Sequence, residues 1–389
     1  MPGLAVYVMG SPFRRSEKLE YVYGAAAAEA LDPVAPLLDP NVYDSTGLVL
    51  VPDIYSVWPQ VSAFPRSESY SEVLEKLQSY MERHCGLRLP LSACRRTVYR
   101  AVPWRGVMGG WRFTATPGDA LAFTLYAVLE TVQQSRRPPS VIRVLLDEEG
   151  HSALQALSLE AAAAAAALIG AGLEAVAAEQ RPYPAKRGDA VELIEYMSMD
   201  SIGALRYTVS LAPGKLPKRM LEPRTPKGRA PAPGREQLLT LLSLLFARRR
   251  WLLPLTYSAC GAGDPAGKLT KLLHRAIEAY IAATQLSKKK IGGIMMHHLG
   301  FQLEAVRALA AGAAVEAAAA RTIRSLYDCE DVYRKGLPSR VLEALEEVLG
   351  PDDTPRECLE EGEAGPRLRE GCLRKLRVAA AEEAGLTAP

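Results

Sequence analysis

Three short apolar runs, each ending at glycine or acidic residues, constrain most strongly what the first half of the chain can fold into. They read LAVYVMG at 4–10, TGLVLVPD at 46–53 and PSVIRVLLDEEGH at 139–151. Continuous rather than alternating apolar residues are typical of parallel strands that are covered on both faces. Segments 69–85 and 117–135 carry apolar residues at helical spacing between these runs. Strands that alternate with helices predict a Rossmann-like, doubly wound α/β domain, which we place at residues 1–210.

Further elements of this half are predicted from shorter patterns. RTVYRAVPW at 96–104 and the segments 189–198 and 205–211 are interpreted as strands. The alanine-rich stretch 152–178 and the segment YVYGAAAAEAL at 21–31 are interpreted as helices, since alanine is the strongest helix former.

The second half differs from the first in composition and in predicted secondary structure. Residues 211–235 are rich in proline and glycine and contain seven lysines or arginines and one glutamate, which predicts a linker. The charge of this segment would also suit contact with RNA phosphates. Residues 236–389 contain helical patterns and no segment that we predict as a strand, so we expect an all-α domain there.

Bulk composition bounds the class of protein. The chain has 389 residues, of which 48% are hydrophobic and 23% charged, with a formal net charge of +3. These values are typical of a globular protein, and the small net charge does not demand a nucleic-acid partner. Apolar residues precede basic ones in MPGLAVYVMGSPFRR, the reverse of a secretion signal, and the apolar run 161–173 is short for a bilayer span. We therefore expect a cytoplasmic protein without a membrane segment.

Six cysteines are scattered through the chain without CxxC spacing, so a zinc site is not expected. Cys85 with Cys94 and Cys358 with Cys372 are spaced for local disulfides, which intracellular proteins of hyperthermophiles contain. Buried free thiols are the alternative, and we favour it.

Polar and small residues at the ends of the apolar runs predict a ligand site. The carboxyl ends of strands in a doubly wound sheet form the ligand crevice. A glycine turn lets backbone N–H groups approach a phosphate, and a helix start near Ser152 would favour an anion. Carboxylates there could accept hydrogen bonds from ribose hydroxyls. The alternative is a tight turn at Gly10 and acidic residues that only favour the start of the helix. The candidate ligand-binding residues are Gly10, Ser11, Pro12, Asp53, Asp147, Glu149, Gly150, His151 and Ser152.

The segment KKKIGGIMMHHLGF at 288–301 holds two of the five histidines of the chain. A histidine and a cation that face one phosphodiester can cleave RNA: the 2′-hydroxyl attacks, the histidine transfers a proton and the cation stabilises the phosphorane. His297, His298 and Lys290 are the candidate catalytic residues. The alternative is a methionine-rich helix face with both histidines packed at a bundle or dimer seam.

The order of these features resembles the CRISPR-associated effectors that join a CRISPR-associated Rossmann fold (CARF) domain to a HEPN ribonuclease domain. VMGSPF resembles the strand and Gly-Asn-Pro turn at the start of that family, and LVPD with SYSEVLEKLQSYM resembles its second strand and helix. VIRVLLDEEGHSALQAL resembles its strand, Asp-x-Thr-His-Gly motif and helix. MMHHLGF resembles the HEPN segment Arg-Asn-x-x-Ala-His-x-Gly. The resemblance covers most of the chain in order and architecture.

The resemblance implies a function for each half. A CARF domain binds a cyclic oligoadenylate as an allosteric ligand, with cyclic tetra-adenylate favoured here, and needs no other cofactor. Two CARF domains build one pocket, which implies a homodimer or higher homo-oligomer. The HEPN domain would cleave single-stranded RNA without a metal, and its histidine falls on His298, before Leu299 and Gly300.

Two departures from the family keep other functions open. The Thr-His-Gly triplet is replaced by Glu149-Gly150-His151, and the arginine expected before the HEPN histidine is missing. Lys290, separated from His297 by six residues, would replace that arginine as a point charge without the bidentate fork. The alternatives are a catalytically weak or inactive regulator that responds to the cyclic ligand, a ring nuclease, and a small-nucleotide enzyme.

Overall fold

The structure is a computed structural model that describes residues 2–10, 18–147, 151–178, 190–217, 219–261, 263–289 and 291–383. The strands of these residues are β1 Pro2–Val8, β2 Leu19–Tyr23, β3 Ala26–Ala30, β4 Asp44–Pro52, β5 Thr97–Val102, β6 Arg105–Met108, β7 Trp111–Thr114, β8 Val141–Leu146, β9 Gly172–Ala178, β10 Val191–Met199, β11 Leu221–Pro223, β12 Thr284–Lys288, β13 Gly293–His297, β14 Leu299–Phe301, β15 Leu359–Glu361 and β16 Pro366–Leu368. The α-helices are α1 Tyr70–Arg83, α2 Cys85–Arg88, α3 Leu91–Cys94, α4 Pro117–Gln134, α5 Ser152–Ile169, α6 Ser201–Ser210, α7 Arg235–Arg248, α8 Leu252–Gly261, α9 Pro265–Ala282, α10 Leu303–Leu326, α11 Cys329–Lys335, α12 Ser339–Leu349 and α13 Cys372–Glu383.

The main sheet has the strand order β3-β2-β10-β9-β8-β1-β4-β5. Its five strands from β9 to β5 run parallel, while β10 is antiparallel to β9. The three apolar runs of the sequence form β1, β4 and β8, and β1 lies between the other two. The sheet with helices between its strands confirms the α/β class of the first half. The carboxyl ends of β1, β4 and β8 therefore meet at one edge, where the sequence predicts the ligand site.

Alanine-rich helices join this sheet to an outer layer of helices. α5 packs on β8, β1 and β9 and also contacts α4, α6 and α10. Ala161, Ala163 and Ala167 of α5 are fully buried, and α10 buries a similar alanine stretch. Small side chains let the helix backbones approach closely, and dense packing then follows. The right-handed crossover rule places α1 on the opposite face of the sheet.

Among the described helices, α5 alone is long and apolar enough to cross a bilayer, and 67% of it is buried inside the protein. Its apolar surface is thus used to pack the sheet against the outer helices.

Two expectations for the first half are wrong. The alanine-containing segment at 21–31 forms the hairpin of β2 and β3 instead of a helix, and residues 205–211 lie in α6 instead of a strand. The predicted helix 152–178 ends at Ile169, where Gly170 adopts a φ of +77°, and β9 follows. Pairing of β3 with β2, and of β9 with β8 and β10, outweighs the helix propensity of alanine in these two strands.

The expectation of a strand-free second half is also wrong. β12 and β13 form a hairpin that joins β7 and β6 in a four-stranded sheet, and β15 pairs with β16. The segment expected to be a linker contributes β11, which pairs with β14. Helices α9 and α10 pack directly on α4 and α5. The second half is mostly helical, and an all-α HEPN architecture is not confirmed.

All six cysteines form disulfides: Cys85–Cys94, Cys260–Cys329 and Cys358–Cys372. The preference for free thiols is therefore wrong. The sequence suggested the two local pairs, but Cys260 and Cys329 are 69 residues apart and meet only because α8 packs against α11.

Candidate functional site

The segment with the two adjacent histidines forms a β-hairpin and a short strand. The turn between β12 and β13 contains Gly292, with a φ of +79°. A Cβ at this position would overlap the carbonyl oxygen of Gly110, so only glycine fits. His297 is the last residue of β13, and His298 follows it. Because successive side chains of an extended chain face opposite sides, the two rings enter different environments.

His297 is a core residue. Its side chain is 2% exposed, its ring stacks on Tyr280 with centroids 4.7 Å apart, and its edge contacts Tyr70. The Thr284 hydroxyl donates to the Tyr280 carbonyl and therefore accepts from Nδ1 of His297, at 2.8 Å. Nε2 has no hydrogen-bond partner among the described residues. Burial, together with the charges of Arg224 and His298, lowers the pKa of His297 to about 3, so the ring is neutral at pH 7.

His298 is held by hydrogen bonds at both ring nitrogens. Nδ1 lies 2.6 Å from the Thr225 hydroxyl, and Nε2 lies 3.2 Å from Oε1 of Gln285. A hydroxyl oxygen and an amide oxygen can both accept, so the same two partners accommodate a protonated ring that donates from both nitrogens. These partners fix the orientation of the ring, as catalysis by a histidine requires.

The His298 ring lines an open cleft with a volume of about 430 Å³. Lys227 and Glu68 line the same cleft and are exposed, and Gln285 of β12 forms part of its wall. A histidine, a cation and a carboxylate thus surround one solvent-filled space. This combination suits proton transfer to or from a phosphate ester, with Lys227 placed to attract the phosphate. We call this space the His298 cleft.

A buried ion pair positions the His298 cleft. Asp119, in the first turn of α4, accepts hydrogen bonds from the backbone N–H groups of Thr116 and Phe301. It also pairs with the Arg224 guanidinium at 2.7 Å, and the Arg224 backbone N–H donates to the His298 carbonyl. Burial raises the pKa of Asp119, and the charge of Arg224 opposes that shift. A Cβ at Gly300 would overlap the guanidinium of Arg224, so this glycine makes room for that group.

Sequence reasoning missed most of the residues around His298. Five lie outside the histidine segment: Glu68, Arg224, Thr225, Lys227 and Gln285. The basic run that contains Arg224 and Lys227 was the one available signal, since its charge suggested contact with phosphates. Their position beside His298 depends on the pairing of β11 with β14. Arg275 and the arginines of 248–250, which other helices could supply in place of the missing HEPN arginine, do not line the His298 cleft.

Asp53 lies at the carboxyl end of β4, as the sequence predicts, but it is fully buried. Its carboxyl group accepts from the Tyr70 hydroxyl at 3.0 Å and from the Trp104 N–H at 2.8 Å. Burial raises the pKa of Asp53 to about 8, because desolvation outweighs these hydrogen bonds. Tyr70 also contacts His297, so Tyr70 links Asp53 at the edge of the sheet to the buried side of the β12–β13 hairpin.

Asp147 and His151 lie at the carboxyl edge of the sheet, after β8. The Tyr7 hydroxyl donates to Asp147 at 3.1 Å, so β1 and β8 are joined at their carboxyl ends. Nε2 of His151 lies 3.0 Å from the Tyr55 hydroxyl, and its ring lies 5.8 Å from that of Trp104. Aromatic rings around a half-buried histidine offer stacking surfaces to a planar base.

The remaining predicted residues divide into two groups. Gly10 is buried two residues after the end of β1, and Ser152 is the exposed first residue of α5. Five predicted residues lie outside the described part of the chain: Ser11, Pro12, Glu149, Gly150 and Lys290.

The described residues contain no group of three or more histidine, cysteine, aspartate or glutamate side chains with the geometry of a metal site. Comparison of the sequence with models of known protein families gave no match, and comparison with curated proteins gave no significant match. Function is therefore inferred from the two sites together with the motif resemblance described above.

Proposed function

We propose that this protein is an endoribonuclease of CRISPR defence that is controlled by a cyclic oligoadenylate. The observation that carries the catalytic half is the His298 ring in an open cleft beside Lys227. The resemblance of the chain to CARF–HEPN effectors supplies the ligand, with cyclic tetra-adenylate favoured, and the substrate, single-stranded RNA. The same resemblance supports a cytoplasmic homodimer.

In this proposal His298 is the acid and Lys227 the phosphate-binding cation. The 2′-hydroxyl oxygen of the RNA attacks phosphorus and loses its proton to solvent. The bond from phosphorus to the 5′ oxygen breaks, and protonated His298 gives its Nε2 proton to that oxygen. The products are a 2′,3′-cyclic phosphate and a 5′-hydroxyl. Lys227 stabilises the charge that develops on the phosphorane.

His297 has a packing role in this proposal. A ring with a pKa near 3 holds no proton at neutral pH and cannot act as the acid. The carboxyl edge of the sheet is the proposed sensing site, supported by His151 with its aromatic neighbours and by the side chain of Asp147 at the same edge.

The experiment is RNA cleavage in EDTA, with and without cyclic tetra-adenylate or cyclic hexa-adenylate, alongside direct binding of each ring. We expect ligand-stimulated cleavage that falls at least about a hundredfold in His298→Ala and in Lys227→Ala, the scale of general acid catalysis. Arg229→Ala is the matched control for Lys227, since Arg229 is exposed in the same segment and does not line the His298 cleft. Full activity of His298→Ala would exclude the proposed acid.

A second candidate function is a regulator that binds the cyclic ligand without cutting RNA. It is favoured by one observation: the guanidinium of Arg224, whose backbone N–H donates to the His298 carbonyl, is held by Asp119. Tight ring binding without cleavage would support this candidate. Degradation of the ring itself would instead support a ring nuclease, and failure to bind either ring would exclude both sensing proposals.

A further inference from the structure

A second cleft, of about 830 Å³, lies at the opposite edge of the main sheet. It is formed by the amino ends of three neighbouring parallel strands, at Gly3 of β1, Thr46 of β4 and Thr97 of β5. The predicted ligand site lies at the carboxyl ends of β1, β4 and β8, so the whole length of the shared strands β1 and β4 separates the two sites. We call this space the arginine cleft.

Four arginines line the arginine cleft: Arg95, Arg96, Arg136 and Arg137. Asp44 is the one acidic residue among the described residues of the lining, so four positive charges less one negative charge give these residues a charge of +3. Arg96 contacts Asp44 at 3.7 Å. The other three guanidinium groups are exposed and form no ion pair with any residue that the structure describes.

These arginines come from two chain segments that the fold brings together. Arg95 and Arg96 follow the short helix α3, and Arg136 and Arg137 follow the C-terminus of α4. A cation just after the C-terminus of a helix stabilises that helix by interacting with its dipole. This effect could explain an arginine after each helix. It does not require four guanidinium groups around one concave space.

The lining of the arginine cleft indicates the class of ligand. Arginine forks match phosphate oxygens, and threonine and serine hydroxyls in the wall can donate further hydrogen bonds. Among the described residues, the lining contains no aromatic side chain that could form a stacking platform for successive bases. Most side chains in this lining are charged or polar, whereas a small-molecule site usually has a few polar groups among apolar side chains.

We propose that the arginine cleft binds the phosphodiester backbone of a single-stranded nucleic acid, without reading its sequence. Guanidinium groups around a concave space can follow the phosphates of one strand, and contacts to phosphates alone need no base stacking. This site is separate from the His298 cleft, and the proposal does not depend on cleavage.

The experiment measures binding of a fluorescent 2′-O-methyl oligoadenylate of twelve nucleotides, which lacks the hydroxyl needed for cleavage. The variant is Arg95→Ala/Arg136→Ala/Arg137→Ala. Its matched control is Arg334→Ala/Arg340→Ala/Arg374→Ala, which removes the same charge from exposed positions on other helices. Each phosphate contact contributes a slope of about −0.7 to log K against log salt. In the cleft variant, which loses three arginines, we expect the slope to become less negative by about 2. We also expect its affinity to be about a hundredfold lower at about 0.1 M salt. The control should match the wild type.

Crosslinking of the wild-type protein to thiouridine-containing RNA provides a readout that does not depend on the variant folding. Crosslinks should map to residues 95–98 and 131–137. An unchanged salt slope in the cleft variant, or crosslinks confined to other surfaces, would overturn the proposal. Competition by ATP or inorganic phosphate at concentrations as low as those of the oligonucleotide would also overturn it, in favour of a small-anion pocket. Absence of RNA cleavage would leave the result standing, since only binding is measured.

Discussion

His297 and His298 are adjacent in the chain but have opposite properties. His297 ends a strand and faces Tyr70 and Tyr280 in the core, whereas His298 faces a cleft with Lys227. Because adjacent side chains of an extended chain face opposite sides, one histidine packs in the core and its neighbour is a candidate acid. The same contrast holds for two buried carboxyl groups: Asp119 has an arginine partner, and Asp53 has only neutral donors.

Replacing His297 with phenylalanine should remove a pH dependence of stability. The pKa of His297 is about 3 in the folded protein, below its ordinary value of 6.5. Between these values the unfolded chain binds a proton and the folded chain does not, so the wild type loses stability as pH falls, by roughly 1.4 kcal/mol per pH unit. Thermal unfolding of both proteins between pH 4 and pH 7 measures this slope. An identical slope in the variant would mean that His297 titrates normally.

Asp53→Asn and Asp119→Asn should have different effects. The pKa of Asp53 is raised to about 8, so the folded chain keeps a proton that the unfolded chain has lost above about pH 4, and wild-type stability falls as pH rises. The asparagine of Asp53→Asn does not titrate, so the stability of this variant should rise relative to that of the wild type as the pH increases from 5 to 8. Asp119→Asn leaves Arg224 without its carboxylate and should lose about 3 kcal/mol at pH 7. Urea unfolding at several pH values tests both, and a stabilised Asp119→Asn would contradict the role of that ion pair.

At the scale of elements, the four-stranded sheet of β12, β13, β7 and β6 is the feature that fixes the His298 cleft. β7 lies in the first half of the chain, and β13 pairs with it in parallel. Two glycine-containing turns meet at one end of this sheet, where Gly292 contacts Gly110. At the other end, His298 and Gln285 reach the cleft.

Gly292→Ala and Gly263→Ala form a matched pair that tests this turn. Both glycines have a positive φ, of +79° and +72°, but a methyl group added at Gly263 would meet no atom within 4 Å. Both variants should lose about 1 kcal/mol from backbone strain, and Gly292→Ala should lose more because its methyl group meets the Gly110 carbonyl. Urea midpoints compare the two variants. Equal losses of stability in the two variants would indicate that the turns of Gly292 and Gly110 can move apart without loss of free energy.

At the scale of the whole molecule, the two halves of the chain interlock. α5 packs on α10, β7 pairs with β13, and Asp119 pairs with Arg224. A change at either half can therefore reach the other through packed contacts. In the proposed function, this interlocking gives the sheet edge a direct route to the His298 cleft, by way of Asp53, Tyr70 and His297.

The disulfides should stabilise the molecule according to the loops that they close. Cys260–Cys329 closes a separation of 69 residues and Cys85–Cys94 one of 9. In the chain-entropy model, replacing both cysteines with serine should cost about 4.4 kcal/mol for the long loop and about 2.6 kcal/mol for the short one. Denaturant unfolding of the two variants measures the difference. Mass spectrometry of alkylated, unreduced protein is the control, and modified cysteines would show that free thiols are present.

The sequence was informative wherever a segment carried its own pattern. The apolar runs of β1, β4 and β8, the amphipathic spacing of α1 and the proline at the start of α4 each predict the element that the structure contains. The candidate site was predictable only in part. His298 could be named from its motif. Thr225, Lys227 and Gln285 come from other segments, and nothing in the local sequence of those segments predicts a contact with His298. Alanine was misleading in β3, where pairing with β2 outweighs its preference for helix.

The sequence by itself determined the buried parallel strands, the helices between them and the edge at which their carboxyl ends meet, because these follow from local apolar patterning. Only the tertiary structure decided that 284–301 forms strands, that His297 is neutral and His298 faces a cleft, and that Cys260 meets Cys329. Each of these depends on contacts between residues far apart in the chain, such as β13 with β7. Local pattern carries no record of such partners, since pairing and burial are properties of the assembled fold.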